Sequence, residues 1–149
     1  MSNIKILGQY VKDLSFEVPS SPEIFLNPQE KPDIAISINI DAKKLSDDLY
    51  EISLKISADA SADKKRIFVC EVIYSGIFSI QNVEDDMMEQ ILLIYCPNLL
   101  FPFARRIIAN NTIDGGFPPL MLDPIDFTDL YKRRQQAISV APVDNSKIN

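Results

Sequence analysis

Residues 34–42 read IAISINIDA. Ile34, Ile36, Ile38 and Ile40 alternate with Ser37, Asn39 and Asp41. A period of two puts the isoleucines on one face of an extended chain and the polar residues on the other, which is the pattern of a half-buried strand. Outward from this stretch the pattern repeats. LSDD makes a turn, and residues 49–60, LYEISLKISADA, alternate again: Tyr50, Ile52, Leu54 and Ile56 against Glu51, Ser53, Lys55 and Ser57. A charged connection, SADKKR, leads into a long fourth strand over 66–80, RIFVCEVIYSGIFSI, with Gly76 as a bulge or bend. On the N-terminal side, SSPEIFLNPQEKPD at 20–33 is a proline-punctuated loop, YVKDLSFEV at 10–18 is a further strand, and residues 1–8 read as a loose arm.

The period changes at Asn82. This residue is placed to cap a helix whose first turn holds Glu84, Asp85 and Asp86, acids that suit the positive end of the helix dipole. The helix is expected to run to Cys96, with Pro97 kinking it or starting a second helix that continues through Asn111. A loop with apolar teeth follows, GGFPPLMLDP at 115–124, and Asp123 or Asp126 caps a last helix. Residues 137–149 are expected to fray, leaving one domain over 9–136. Four strands followed by helices indicate an α+β fold: a four-stranded antiparallel sheet with helices packed on one face.

The stretch ILLIYCPNLLFPFARRIIAN at 91–110 carries more apolar surface than such a fold needs. Its apolar run covers the 14 residues from Ile91 to Ala104, short of the roughly 20 that span a bilayer. On a helical wheel Leu99, Leu100, Phe101, Phe103, Ile107 and Ile108 cover an arc of about 200°, whereas a helix resting on one sheet needs about 100°. Leaving these side chains wet forfeits about 1.5–3 kcal/mol each, so a second copy is expected to cover them. The surface assigned to contacts between copies comprises Phe68, Cys70 and Val72 with Leu99, Leu100, Phe103 and Ile107. The fourth strand has a second side. Alternation turns Glu71 away from the core, as it does Asp13 and Glu17 on the first strand. If the two strands are neighbours, Asp13, Glu17, Val69 and Glu71 share the open face, an acidic patch with one exposed aliphatic residue that suits a basic partner.

The chain has 149 residues, 46% of them apolar and 24% charged, and a net charge of −6. Residues 1–89 hold 16 acids and 9 bases; the rest are nearly balanced. Such a charge disfavours nucleic acid. There is no histidine, there are only 4 glycines, and Cys70 and Cys96 stand apart. These residues offer no histidine general base, no phosphate loop, no zinc ligand set and no disulfide framework. No enzyme, metal site or cofactor is expected. MSNIKILGQYVKD lacks the pattern of a signal peptide, which with the unpaired cysteines suits the cytoplasm.

VKDLSFEVP (11–19), DDLYEISLKISA (47–58), FVCEVIYSGIFSI (68–80), YCPNLLFPFARRII (95–108) and GGFPPLMLDPIDF (115–127) together closely resemble the SecB family of bacterial export chaperones. The resemblance runs from Tyr10 to Tyr131. It implies a homotetramer, a dimer of dimers with helices between the sheets. It also implies an ATP-independent holdase in the cytoplasm, which binds unfolded precursor proteins and passes them to the SecA motor without itself entering the membrane. The family's SecA contact falls on Asp13, Glu17, Val69 and Glu71. Its client groove falls on Phe25, Ile36, Phe117, Leu120, Leu122, Phe127 and Tyr131. Two departures stand out: the tail has one acid, Asp144, and Phe25 is the sole aromatic of its loop. The alternative is a SecB-like holdase serving a toxin–antitoxin or general stress system, without SecA.

Overall fold

The structure, a computed structural model, describes residues 3–27 and 31–140, the side chains as far as Gln136. Four strands form one antiparallel sheet: β1 (Asn3–Glu17), β2 (Asp33–Ser46), β3 (Leu49–Ala62) and β4 (Lys65–Gln81), in the order β1-β4-β3-β2. The isoleucines of β2 share their face with β3, since Ile38 pairs with Ile56 and Ile40 with Leu54. Ile56 in turn pairs with Val72, and Val72 with Leu14. Residue-by-residue pairing therefore carries one apolar face across the sheet.

The strands are longer than the alternation marks. The expected arm over residues 1–8 is instead strand from Asn3, because Asn3–Ile6 pair with Phe78–Gln81 at the far end of β4. The 61–66 connection shrinks to a two-residue turn at Asp63–Lys64, both with positive φ (49° and 66°). That backbone matches the twist of paired strands, and the exposed polar side chains tolerate it. Gly76 is no bulge: it pairs in register with Gln9 and Ile52. A Cβ there would lie 3.0 Å from Leu100 Cδ2 and 2.9 Å from Phe78 Cε2, so the glycine lets a helix approach the sheet closely.

After a short helix α1 (Glu23–Leu26), the remaining helices follow the sheet: α2 (Asp85–Gln90), a π-helical turn (Ile91–Tyr95), α3 (Cys96–Asp114) and α4 (Phe127–Val140). Asn82 is not the cap; it sits in the left-handed region at φ 59°, and Glu84 occupies the capping position. Pro97 does not split the run. It lacks an N–H, and the wider turn before it takes up the mismatch, Cys96 N–H bonding to Ile91 O. Asp85–Asp114 is thus one 30-residue helical run, long and apolar enough to cross a membrane by length and composition. Its inner side, Cys96, Leu100, Ala104 and Ile108, is fully buried, and α3 packs on β3 and β4 as a core helix does. Asp126 caps α4, its Oδ1 accepting from Asp129 N–H at 3.0 Å. That helix runs to Val140, beyond the expected fraying point at 137; residues 141–149 of the expected tail lie outside the described residues.

Phe68, Cys70, Val72 and Leu100, expected between copies, are buried within one chain. Leu100 lies on α3 itself, Phe68 is covered by the rings of Phe16 and Phe117, and Cys70 and Val72 lie on the central strand β4, against which α3 packs. The apolar surface left over includes Leu99, Phe103, Ile107 and Ile113 on α3 and the exposed Ile6, Leu7, Val11 and Leu14 of the edge strand β1.

Candidate functional site

Two surfaces lie on opposite faces of the sheet. On the open face, β1 pairs with β4 so that Glu17 stands opposite Val69, Ser15 opposite Glu71, and Asp13 opposite Ile73. The sheet therefore brings Asp13, Glu17, Val69 and Glu71 together. Asp13 and Glu17 are exposed; Val69 and Glu71 are half-buried. Glu71 accepts a hydrogen bond from Ser57 Oγ at 2.9 Å, which fixes its carboxylate on this face. Farther along the same face Glu51 accepts from both the Tyr10 hydroxyl and Lys12 Nζ, the latter at 2.8 Å. The bond to Glu51 pushes the Tyr10 hydroxyl up to about 12, and Lys12, then Tyr10, hold the Glu51 carboxyl below its usual value. Sequence alternation alone did not bring Tyr10 and Lys12 to this cluster, because a register shift between Val11 and Asp13 turns β1 locally.

The helix side carries the grooves. A cavity of about 640 Å³ opens between α1, the start of β2 and the loop after α3, lined by Phe25, Ile34, Phe68, Phe117 and Leu120. Three of its lining rings run in a chain, Phe25 to Phe117 at 5.4 Å and Phe117 to Phe68 at 5.1 Å between centroids, and Phe68 is backed by Phe16 at 5.7 Å. Gly116, at φ 91°, lets the loop pass over Phe25, since a Cβ there would lie 3.0 Å from the ring. Thr112, buried in α3, accepts the Leu120 N–H at 2.9 Å and so ties the loop down. A second groove, of about 520 Å³, runs between β2 and α4 and is lined by Ile38, Ile40, Leu93, Leu130, Tyr131, Arg133 and Arg134. A third, of about 420 Å³, adjoins it and shares Ile40, Leu93 and Arg134.

Of the groove residues expected from the sequence, Phe25, Phe117 and Leu120 meet in the first cavity and Tyr131 lines the second. Ile36 stands between them on β2, 41% exposed. Leu122 and Phe127 do not reach a groove. Both are buried core, Phe127 edge-on against Phe101 at 6.0 Å, because the chain turns inward there to start α4. The sequence reading missed Ile34 and Leu93. Ile34 carries the same alternation as Ile36, while Leu93 faces a groove only through the π turn. Cys70 and Cys96 are fully buried, and burial pushes their thiols up to about 11 and about 12.

Comparison with known proteins places the chain in a family and supports its fold. The family model described as preprotein translocase subunit SecB matches residues 1–138. The protein-export protein SecB of Hyphomonas neptunium is 51% identical over 132 residues, covering 87% of this chain and 77% of that one. Its counterpart in Maricaulis maris is 46% identical over 146 residues, covering 98% and 84%. Among solved structures, a SecB-like chaperone of Mycobacterium tuberculosis, in complex with a peptide from an antitoxin, superposes with a TM-score of 0.68. That likeness covers 82% of this chain and 90% of the other at 11% identity, and is one of fold. With the family model spanning nearly the whole chain and relatives near half identical, the chain belongs to the SecB family.

Proposed function

We propose that this chain is an ATP-independent holdase of the cytoplasm that keeps unfolded precursor proteins competent for export and hands them to SecA. The observation that carries this reading is the separation of two surfaces by one sheet. Apolar grooves lined by Phe25, Phe117 and Leu120 lie on the helix side, and the acidic patch of Asp13, Glu17 and Glu71 around Val69 lies on the other. Cargo and a basic docking partner can then be bound at once. Grooves that are apolar and shallow suit extended segments of many sequences, and several copies per particle add avidity without sequence specificity. The working particle is a homotetramer, a dimer of dimers, whose contacts use Leu99, Phe103 and Ile107.

The test separates the surfaces. Asp13→Lys and Glu71→Lys should weaken SecA binding about tenfold or more at low salt and less at high salt, while suppression of aggregation of a denatured client is unchanged. Phe117→Ala should do the reverse. Equal loss of both activities in either variant counts against separate sites. A wild-type protein that holds clients yet never binds SecA points to the toxin–antitoxin or stress holdase instead.

A further inference from the structure

Strand β1 changes side partway along its length. In its first part Gln9 pairs with Gly76 and Val11 with Tyr74, so the odd-numbered residues lie on the helix side, where Gln9 Oε1 accepts from the Tyr74 hydroxyl at 3.3 Å. In its last part Leu14 pairs with Val72 and Phe16 with Cys70, so the even-numbered residues face the helices, Phe16 stacking on Phe68. Lys12 is the extra residue that separates the two parts, because Val11 and Asp13 pair with the consecutive Tyr74 and Ile73. A strand without such an insertion keeps one parity, since its side chains alternate strictly. Asp13 would then stand opposite Val72 and Glu17 opposite Phe68, both on the helix side. The bulge is what turns these two acids to the open face. Two side chains brace it. Tyr10 lies just before the extra residue and Lys12 is the extra residue itself, and both bond to Glu51 on β3, Lys12 Nζ at 2.8 Å. Within one chain β1 is the outermost strand, paired on one side only, so its register has no second neighbour to fix it.

We propose that Tyr10 and Lys12, latched to Glu51, are positioning residues of the docking face: they hold the bulge that presents Asp13 and Glu17 beside Val69 and Glu71. This rests on the reading of that face as the SecA contact and names what aligns its acids. Lys12 separates this role from a purely electrostatic one. A lysine beside an acidic patch repels a basic partner by its charge alone, whereas a lysine that braces the bulge favours that partner by fixing the acids in place. The two roles predict opposite signs when the charge is removed.

SecA is titrated calorimetrically into the whole wild-type protein and into Lys12→Met, Lys12→Arg and Tyr10→Phe, and suppression of aggregation of a denatured client is measured on each. Lys12→Met makes the chain more acidic, yet should weaken SecA binding about two- to fivefold, the size of a part-exposed charged contact. Tyr10→Phe leaves the charge unchanged and should weaken it similarly, while Lys12→Arg, which keeps a donor for Glu51, should bind as the wild type does. Client holding should be unchanged in all three, because the grooves lie on the other side of the sheet. Tighter SecA binding by Lys12→Met, with Tyr10→Phe equal to wild type, overturns the positioning role and leaves the acidic patch standing as the contact. Loss of client holding in step with SecA binding makes these contacts merely structural and overturns it too. Failure of the wild type to bind SecA overturns the docking reading itself, and this role with it.

Discussion

Glu51 shows how much a single side chain on the open face can do. It is a strand residue by alternation, yet it receives both the Tyr10 hydroxyl and the Lys12 ammonium, linking β1 to β3 across the intervening β4. Its carboxyl is held below the ordinary value, first by the bond from Lys12 and then by that from Tyr10. A group whose pKa is lowered on folding stabilises the fold above its unfolded pKa, about 4.3 for glutamate, and loses that contribution as pH falls through the folded value. The Glu51→Gln protein should therefore be less stable than wild type by about 0.5–1 kcal/mol at pH 7, the size of a partly exposed charged pair. The gap should close below pH 4. Urea melts at pH 7 and pH 3 check this; an equal gap at both would mean that the charge contributes nothing. The two buried thiols give a companion expectation. With burial raising Cys70 and Cys96 to about 11 and 12, both stay neutral and covered at pH 8, so a thiol reagent should modify the native protein far more slowly than the urea-unfolded chain. Modification at equal rates would place at least one thiol at the surface.

At the scale of elements, the four strands are legible because each alternates, and alternation is what a sheet with one buried face requires. Their ends are not. The reading starts β1 only at Tyr10, since Asn3, Ile4, Lys5 and Ile6 alternate for just four residues before Leu7 and Gly8 interrupt the beat, and it is the pairing with Phe78–Gln81 that makes a strand of them. The acidic patch is legible for the same reason as the strands, since Asp13, Glu17 and Glu71 fall on the polar beat. The grooves are half legible. Phe25 lies in the four-residue α1, and Phe117 and Leu120 in the loop after α3, segments too short or irregular for periodicity to report, and Leu122 and Phe127 look alike in sequence but turn inward. The π turn is invisible to a wheel drawn at a single period, and it is what carries Leu93 to α4. Thr112 decides how one of these loops is held. Its hydroxyl lies 2.8 Å from Ala109 O and accepts the Leu120 N–H, in a position without solvent access. Thr112→Val keeps the shape and strands that N–H, which should cost about 1–3 kcal/mol. It should also raise hydrogen exchange at Leu120 and weaken client binding in the first cavity. Unchanged exchange at Leu120 would show that the hydroxyl does not hold the loop.

For the whole molecule the question is what covers the outer side of the long helical run. One chain buries Cys96, Leu100, Ala104 and Ile108, and leaves Phe103 41% exposed even though its ring stacks on Tyr74 at 5.8 Å. Leu99 and Ile107 flank it half-covered, and Ile6, Val11 and Leu14 stand exposed on the adjacent edge strand. Apolar side chains gathered this way on one side mark a surface that another protein covers, and an edge strand of 15 residues left bare beside them invites association of its own. A second copy of the chain answers the first need if the helices meet back to back. The sheets then lie outermost, and the acidic patch on their open face stays exposed to solvent. A charge at Phe103 tests this because the position is exposed in one chain and would be buried only where copies meet in that way. Phe103→Glu should keep its far-UV circular dichroism and lower the mass read by light scattering from about four times 16.8 kDa to that of a dimer or single chain. It should also bind clients less tightly, since fewer grooves act together on one segment. Leu100→Glu, at a position fully buried within one chain, should instead fail to fold. A Phe103→Glu protein with the same mass as wild type would move the interface off α3 and leave the exposed row on that helix to some other partner.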